Sequence, residues 1–243
     1  MPNTSPSFQP LYLQIKALLE RRLEAAEWHP GEAIPSEQEL ARRFGVSQGT
    51  VRKAIDALAV DNLVVRRQGR GTFVSTHTEE KTSNFRFLRV CRSDGRDEES
   101  TRRLLEFRRA RAGADVARRL GLKARAAIIV LRRVLEFGGE PVILEDITLP
   151  AALFPGLTRA QIDASPGSIY GFFETQFGVR MLRAQERLSA IAADGATAPP
   201  LRVAPGSPLL AIERIAYTYG DRPVELRRSL CRTDRHHYAN DLG

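Results

Sequence analysis

The chain has 243 residues, enough for one large domain or two ordinary ones, and 42% of them are hydrophobic, enough for packed cores. Its 37 basic and 29 acidic side chains give a formal net charge of +8. No apolar run approaches the roughly 18 residues of a membrane span. Cys91 and Cys231 form neither a C-x-x-C redox motif nor a metal spacing, so composition argues against membrane-embedded, disulfide-stapled and zinc-cluster proteins. The basic excess is no signature of nucleic-acid binding by itself. Through Ser75 the charges nearly balance, and the excess lies mainly between Phe85 and Arg133.

The opening residues MPNTSPSFQP are polar and proline-rich, so no signal peptide and no membrane partner are expected, and two unpaired cysteines fit a reducing cytoplasm. Pro10 to Glu27 reads as a helix, with Leu11, Ile15, Leu18, Leu19 and Leu23 as its apolar stripe. Trp28-His29-Pro30-Gly31 breaks it, and an extended Glu32–Pro35 segment delivers Ser36 to a cap position. Ser36-Glu37-Gln38-Glu39 is an S-x-x-E capping box, and Gly45 ends the short helix that follows. Ser47 caps the next helix, whose Val51, Ala54, Ile55 and Leu58 fall on one face. Its other face carries Gln48, Gly49, Thr50, Arg52, Lys53 and Asp56, a polar and basic first turn able to reach base edges in a major groove. Val64–Arg67 and Thr72–Val74 pair as a hairpin across Gln68-Gly69-Arg70-Gly71, displaying Arg66, Arg67 and Arg70 around glycines that admit a phosphate or a minor groove. Two capped helices and a basic hairpin in this order predict a winged helix-turn-helix.

Residues 76–84, polar and without apolar periodicity, read as a linker between a DNA-binding domain at 1–75 and a second domain at 85–243. In the second domain strands are expected at Phe85–Arg92, Leu104–Arg111, Ala127–Phe137, Pro141–Thr148, Arg180–Ala192, Leu209–Tyr219 and Val224–Arg232. A charged loop, Ser93 to Glu99, separates the first two. Helices are expected at Ala114–Leu120, Leu157–Ile162 and Ser168–Phe177. Strands joined by turns, with helices on one side, predict an α+β domain on an antiparallel sheet and a mixed two-domain chain. His236 and His237 are adjacent, so on a strand they face opposite ways and make no metal pair; no cofactor or metal is expected.

The first third of the chain resembles the DNA-binding domain of the GntR family of bacterial transcription regulators. The resemblance is carried by Leu11-Tyr12-Leu13-Gln14-Ile15, Pro30-Gly31, Ile34-Pro35-Ser36-Glu37, Glu39-Leu40-Ala41, Phe44-Gly45-Val46-Ser47, Thr50-Val51-Arg52, Ala54-Ile55, Leu58 and Gly69-Arg70-Gly71-Thr72-Phe73-Val74. It implies DNA contacts from Ser36 and Glu37, from Ser47, Thr50 and Arg52, and from the wing around Gly69. Gln38 and Gln48 stand where family members often carry other residues; a glutamine at position 48 favours adenine where an arginine would favour guanine. The second domain is similar to the effector-binding (UTRA) domain of the HutC-type branch, which has a chorismate lyase-like fold. That similarity rests on Arg132-Arg133-Val134, Gly139-Glu140-Pro141-Val142, Glu145, Leu149-Pro150, Ser168-Ile169-Tyr170, Pro205–Leu210, Ile212-Glu213-Arg214 and Pro223-Val224-Glu225. It implies an effector pocket of Arg133, Glu145, Ser165, Ser168, Tyr170, Glu225 and Arg227. The plainer reading of Arg133 and Glu145 is that they merely pair with each other or face solvent. Sugar-phosphate binders tend to carry a second arginine where this chain has Leu135 and an aromatic residue where it has Cys231, so an organic acid is expected over a sugar phosphate.

The expectation is a homodimeric regulator, a repressor with an activator as the alternative, that binds a palindromic double-stranded operator and is released by a small-molecule effector. The rival is an enzyme with lyase-like chemistry in the second domain; no nucleophile–base pair, metal spacing or cofactor loop supports it.

Overall fold

The computed structural model describes residues 9–76, 89–96, 100–165 and 167–240. The chain divides into two compact units, Met1–Thr76 and His77–Gly243. The expected linker lies outside the described residues except for Thr76, as do residues 85–88 of the first expected strand and 97–99 of the charged loop.

In the first unit Ile15, Leu19 and Leu23 recur every four residues and are buried on one side of α1 (Leu11–Glu24). Leu11 and Leu18, expected in that stripe, are exposed, because they sit at its start and beside the buried row. The helix stops three residues before the expected Glu27, where Ala26 takes a left-handed φ of 56°. α2 (Glu37–Phe44) and α3 (Gln48–Val60) begin at Ser36 and Ser47. The Ser36 hydroxyl accepts the Glu39 amide at 3.2 Å, the serine half of the expected box. Ser47 accepts the Thr50 amide at 3.1 Å. Gly45 closes α2 at φ 65°. Val51, Ala54, Ile55 and Leu58 all face inward against Leu19 and Leu40, as their spacing requires.

β1 (Val64–Arg67) and β2 (Gly71–Val74) form the hairpin, Val64 opposite Val74 and Arg67 opposite Gly71. The segment expected only to be extended is tied to β2 by an isolated bridge at Ala33–Phe73: Ile34 donates to Thr72 O at 2.9 Å and Val74 to Glu32 O at 2.8 Å.

The second unit is built on an antiparallel six-stranded sheet. Its strands are β4 (Ser100–Arg111), β5 (Ala127–Phe137), β6 (Glu140–Pro150), β7 (Arg183–Ala192), β8 (Pro208–Tyr217) and β9 (Pro223–Arg232), in the spatial order β4-β5-β6-β9-β8-β7. β3 (Val90–Arg92) pairs with β10 (His236–Tyr238) as a separate ribbon. Helices are α4 (Ala114–Arg119), α5 (Arg159–Ala164), α6 (Ile169–Phe177) and α7 (Ala198–Leu201). α5 starts two residues later than expected because Thr158 and Gln161 form a complete capping box. α7 is unexpected, as its APPL sequence carries two prolines.

Side chains alternate across each strand, so Ile129, Leu131, Arg133 and Leu135 share one face with Ile143, Glu145, Ile147 and Leu149. At one end of this face Ile129, Leu131, Ile147 and Leu149 pack under α5 and α6 with Phe154, Ile162, Ile169 and Phe173. At the other end Ile143, Ile212 and Cys231 pack under Val90 of the ribbon, with Tyr238 beside them. Between the two apolar zones the same face turns polar.

Candidate DNA-reading surface and effector pocket

Cap geometry fixes what the head presents. Ser36 and Ser47 sit at helix starts, where free amides and the helix dipole favour a phosphate. Ser47 Oγ also lies 2.9 Å from Thr50 Oγ1. Gln38, Gln48, Arg52 and Lys53 are exposed on α2 and the first turns of α3. Gly69 at φ 70° turns the tip of the wing, next to exposed Arg70. Arg67 is half-buried, its guanidinium 4.7 Å from the Phe73 ring centre, which fixes it against the wing. Arg66 is already ion-paired, at 3.0 Å to Glu37 and 2.9 Å to Asp56. Glu37 is half-buried and bonded to Arg52 and Gln48 as well. Burial would raise its carboxyl, but these donors hold it below the ordinary carboxylate value.

In the second unit the register brings the polar residues together. Arg133 lies opposite Glu145, and Glu145 opposite Ser229. One step along, Arg227 lies opposite Arg214, and Arg214 opposite Glu186. Glu145 accepts Arg133 at 2.6 Å, Arg227 at 2.9 Å and Ser229 at 3.2 Å. Complete burial would raise its carboxyl, but Arg133 and Arg227 hold it at about 2. Glu225 accepts Tyr170 at 2.7 Å and Arg227 at 2.8 Å. Burial pushes the Tyr170 hydroxyl up to about 12, so it remains a donor. Arg214 bonds Tyr170 at 3.3 Å and Glu186 at 2.7 Å, and Glu186 in turn accepts the Tyr238 hydroxyl. A continuous chain of bonds thus runs from β5 to the ribbon.

Of these groups Arg133, Glu145, Tyr170, Arg214, Arg227 and Ser229 form the polar floor of a cavity of about 410 Å³. Leu135, Ile143, Ile212 and Cys231 make its apolar wall, and Ser168 and Ile169 at the start of α6 form part of its rim. Of the expected pocket residues, Arg133, Glu145, Ser168, Tyr170 and Arg227 line the cavity. Ser165 and Glu225 stand behind it, Glu225 holding Tyr170 and Arg227, and Ser165 bonded to Ile162 O and Arg102. Arg133 and Glu145 pair with each other, as the plainer reading expects, and both also line the cavity.

Sequence reading missed Arg102, Arg214 and Glu186. Arg102 lies directly opposite Leu135 on β4, so it brings a cation into the cavity beside the position where the second arginine is absent. Its guanidinium donates to the carbonyls of Ser165 and Gly167. Burial, and then Arg133, lower its affinity for the proton. Three buried or half-buried carboxylates, Glu145, Glu186 and Glu225, balance Arg133, Arg214 and Arg227. Arg102 has no carboxylate partner among the described residues. Its pairing across strands is a long-range fact with no local signal.

No cluster of His, Cys, Asp or Glu among the described residues has metal-site geometry, and none of the described helices is long and apolar enough to cross a membrane. His236 is buried and its neighbour His237 exposed, on opposite faces of β10.

A winged helix-turn-helix joined to a domain with a ligand-sized polar cavity defines a ligand-responsive DNA-binding regulator. Comparison with known proteins gives the family. The model for "Bacterial regulatory proteins, gntR family" matches residues 11–74, and that for the UTRA domain matches residues 95–237. The HTH-type transcriptional repressor NagR of Bacillus subtilis is 30% identical over 96% of both chains. The crystal structure of PhnF from Mycobacterium smegmatis is 26% identical, covers 94% of this chain and 99% of its own, and superposes with a TM-score of 0.55. The ligand-binding domain of a regulator assigned to the GntR family from Bordetella bronchiseptica is 46% identical over 65% of this chain and 99% of its own, with a TM-score of 0.64. The chain belongs to the GntR family of transcription regulators, in its HutC-type branch. Its relatives are named as regulators and repressors, so it is a regulator and not an enzyme.

Proposed function

We propose that this protein is a cytoplasmic homodimeric repressor, released from a palindromic operator when an organic acid enters the UTRA cavity. The carrying observation is the charge balance of that cavity. Arg133, Arg214 and Arg227 are matched by carboxylates, whereas Arg102 and Arg89, which also line it, are bonded to carbonyls and to Asn240, and Arg102 faces the apolar wall as a group in need of an anion. Arg102 beside the apolar wall of Leu135, Ile143 and Cys231 suits a carboxylate on a partly apolar body. Arg133, Ser168, Tyr170 and Arg227 would contact the ligand, with Glu145 taking its hydroxyl or amine groups. On the head, Ser36, Ser47 and Arg70 would hold phosphates, while Gln48, Thr50 and Arg52 read bases and Gln38, Lys53, Arg67 and Gly69 flank them.

A two-fold dimer accounts for a palindromic site, and β7 at the end of the sheet, with Leu188 exposed, offers an edge for a second copy. We assign the head to 1–75, the linker to 76–84 and the effector domain to 85–243, a division that the boundary between the two compact units at Thr76 supports. The test is fluorescence anisotropy on duplex from upstream of the gene, at fixed salt, with a panel of carboxylic acids and sugar phosphates. Saturable binding that one carboxylic acid abolishes supports the proposal. Release by a sugar phosphate alone overturns the effector class, and failure to bind any promoter duplex specifically overturns the repressor reading.

A further inference from the structure

Ion pairing in the head gives Glu37 a different task from the DNA contact that family resemblance implies. Its Oε2 accepts Arg52 Nε at 3.0 Å and Gln48 Nε2 at 3.2 Å, and its Oε1 lies 3.0 Å from Arg66 Nη2. One carboxylate therefore ties the start of α2 to the reading face of α3 and to the wing. Asp56, one helical turn beyond Arg52, holds the same Arg66 nitrogen at 2.9 Å. The carboxylate lies inside this cluster, with its side chain 16% exposed, whereas Arg52 is 57% exposed and points outward.

The geometry selects which atoms remain for DNA. An arginine bound through Nε keeps its two terminal nitrogens, the edge that matches O6 and N7 of guanine. Gln48 keeps its carbonyl oxygen and one N–H. The electrostatics act on the opposite class of contact. Every unpaired cation adds to sequence-independent attraction for phosphates. Glu37 and Asp56 neutralise Arg52 and Arg66 in this respect without covering the base-reading edge of Arg52.

We propose that Glu37 is a positioning residue that sets operator specificity, clamping Arg52, Gln48 and Arg66 on one carboxylate. It aims the base-reading edge and, together with Asp56, withholds two positive charges from non-specific binding. The proposal rests on the assignment of Arg52 to base reading.

The test uses the full chain, an operator obtained by selection from a randomised duplex, and a scrambled duplex of equal length, all at one salt concentration. Glu37→Gln keeps the shape and removes the charge. It binds the operator about tenfold more weakly, toward the lower end of what a bidentate base contact contributes. It binds the scrambled duplex at least as tightly as the parent does, and base preference relaxes at the position read by Arg52. In an Arg52→Ala background the same change has little further effect on operator binding. Glu37→Asp, which restores charge on a shorter arm, recovers the scrambled-duplex affinity but not the operator affinity, and it carries the test if Glu37→Gln fails to fold. Equal losses on both duplexes overturn the proposal, as does unchanged operator affinity. So does lost preference at a base that Arg52→Ala leaves intact, which would mark Glu37 as a direct base contact. If Arg52→Ala retains full preference at every position, the base-reading assignment itself fails.

Discussion

Replacing Glu145 by Gln tests the floor of the effector cavity. The carboxylate is 2% exposed and bonded to Arg133, Arg227 and Ser229. An amide of the same shape leaves the buried Arg133 guanidinium without a counter-charge and Arg227 with Glu225 alone, and breaking a buried pair in this way costs about 3–5 kcal/mol. The titration gives a second route to the magnitude. A carboxyl held at about 2 instead of 4.5 corresponds to about 3 kcal/mol of folded-state preference for the charged form. Its folded value is depressed, so the contribution is full above pH 4.5 and disappears as pH falls through about 2. Taking about 3 kcal/mol, the melting temperature of a unit of this size falls by about 6–12 °C at pH 7. Calorimetry on the full chain measures the shift. Trp28, the single tryptophan, lies in the head, so its emission reports the other unit separately and stays unchanged. The difference between variant and parent narrows steadily below pH 4.5. A variant that melts within about 2 °C of the parent at pH 7 would refute the reasoning, because a destabilisation of this size moves the transition several degrees.

Three further outcomes are expected. Arg52→Ala costs about 1–3 kcal/mol of specific binding and relaxes one base position, whereas Arg70→Ala weakens all sequences alike and lowers the salt slope by about one; anisotropy titrations at several salt concentrations separate the two, and identical behaviour on every sequence contradicts the division of roles. Arg102→Ala weakens binding of the releasing carboxylic acid by about 10- to 100-fold, the loss of a charged hydrogen bond, and Arg102→Lys restores part of it; calorimetric titration reads both, and unchanged affinity removes Arg102 from the site. Gly45→Ala places a side chain at φ 65° with nothing within 4 Å, so its cost is backbone strain alone, about 1 kcal/mol. Trp28 emission should show the head melting about 4–8 °C lower, and an unchanged midpoint would count against the left-handed cap.

The head was largely legible because its signals are local. A cap residue and the residue three positions on belong to one turn, and Val51, Ala54, Ile55 and Leu58 share a face through helical pitch alone. The limits of that legibility are equally local. Pitch places Leu18 beside the buried row, but only the packed neighbours left it exposed. Extended backbone at Glu32–Pro35 was readable, but its pairing with β2 was not.

In the second unit alternation and turns gave the strands, and family resemblance gave five residues that the sheet and the start of α6 bring to one cavity. Neither could give the register between strands far apart in sequence. Arg102 meets Leu135 across 33 positions, and Arg214 meets Glu186 across 28. Those pairings decide which charges in the cavity are neutralised and which are not. In the head the sequence specified a serine-capped helix bearing Glu37, but the convergence of Arg52 and Arg66 on it depends on how α2, α3 and the wing pack. Helix pitch, capping and strand alternation are properties of neighbouring residues and can be read from the chain. Charge balance in a cavity is a property of distances between residues remote in sequence, and the tertiary structure alone sets it.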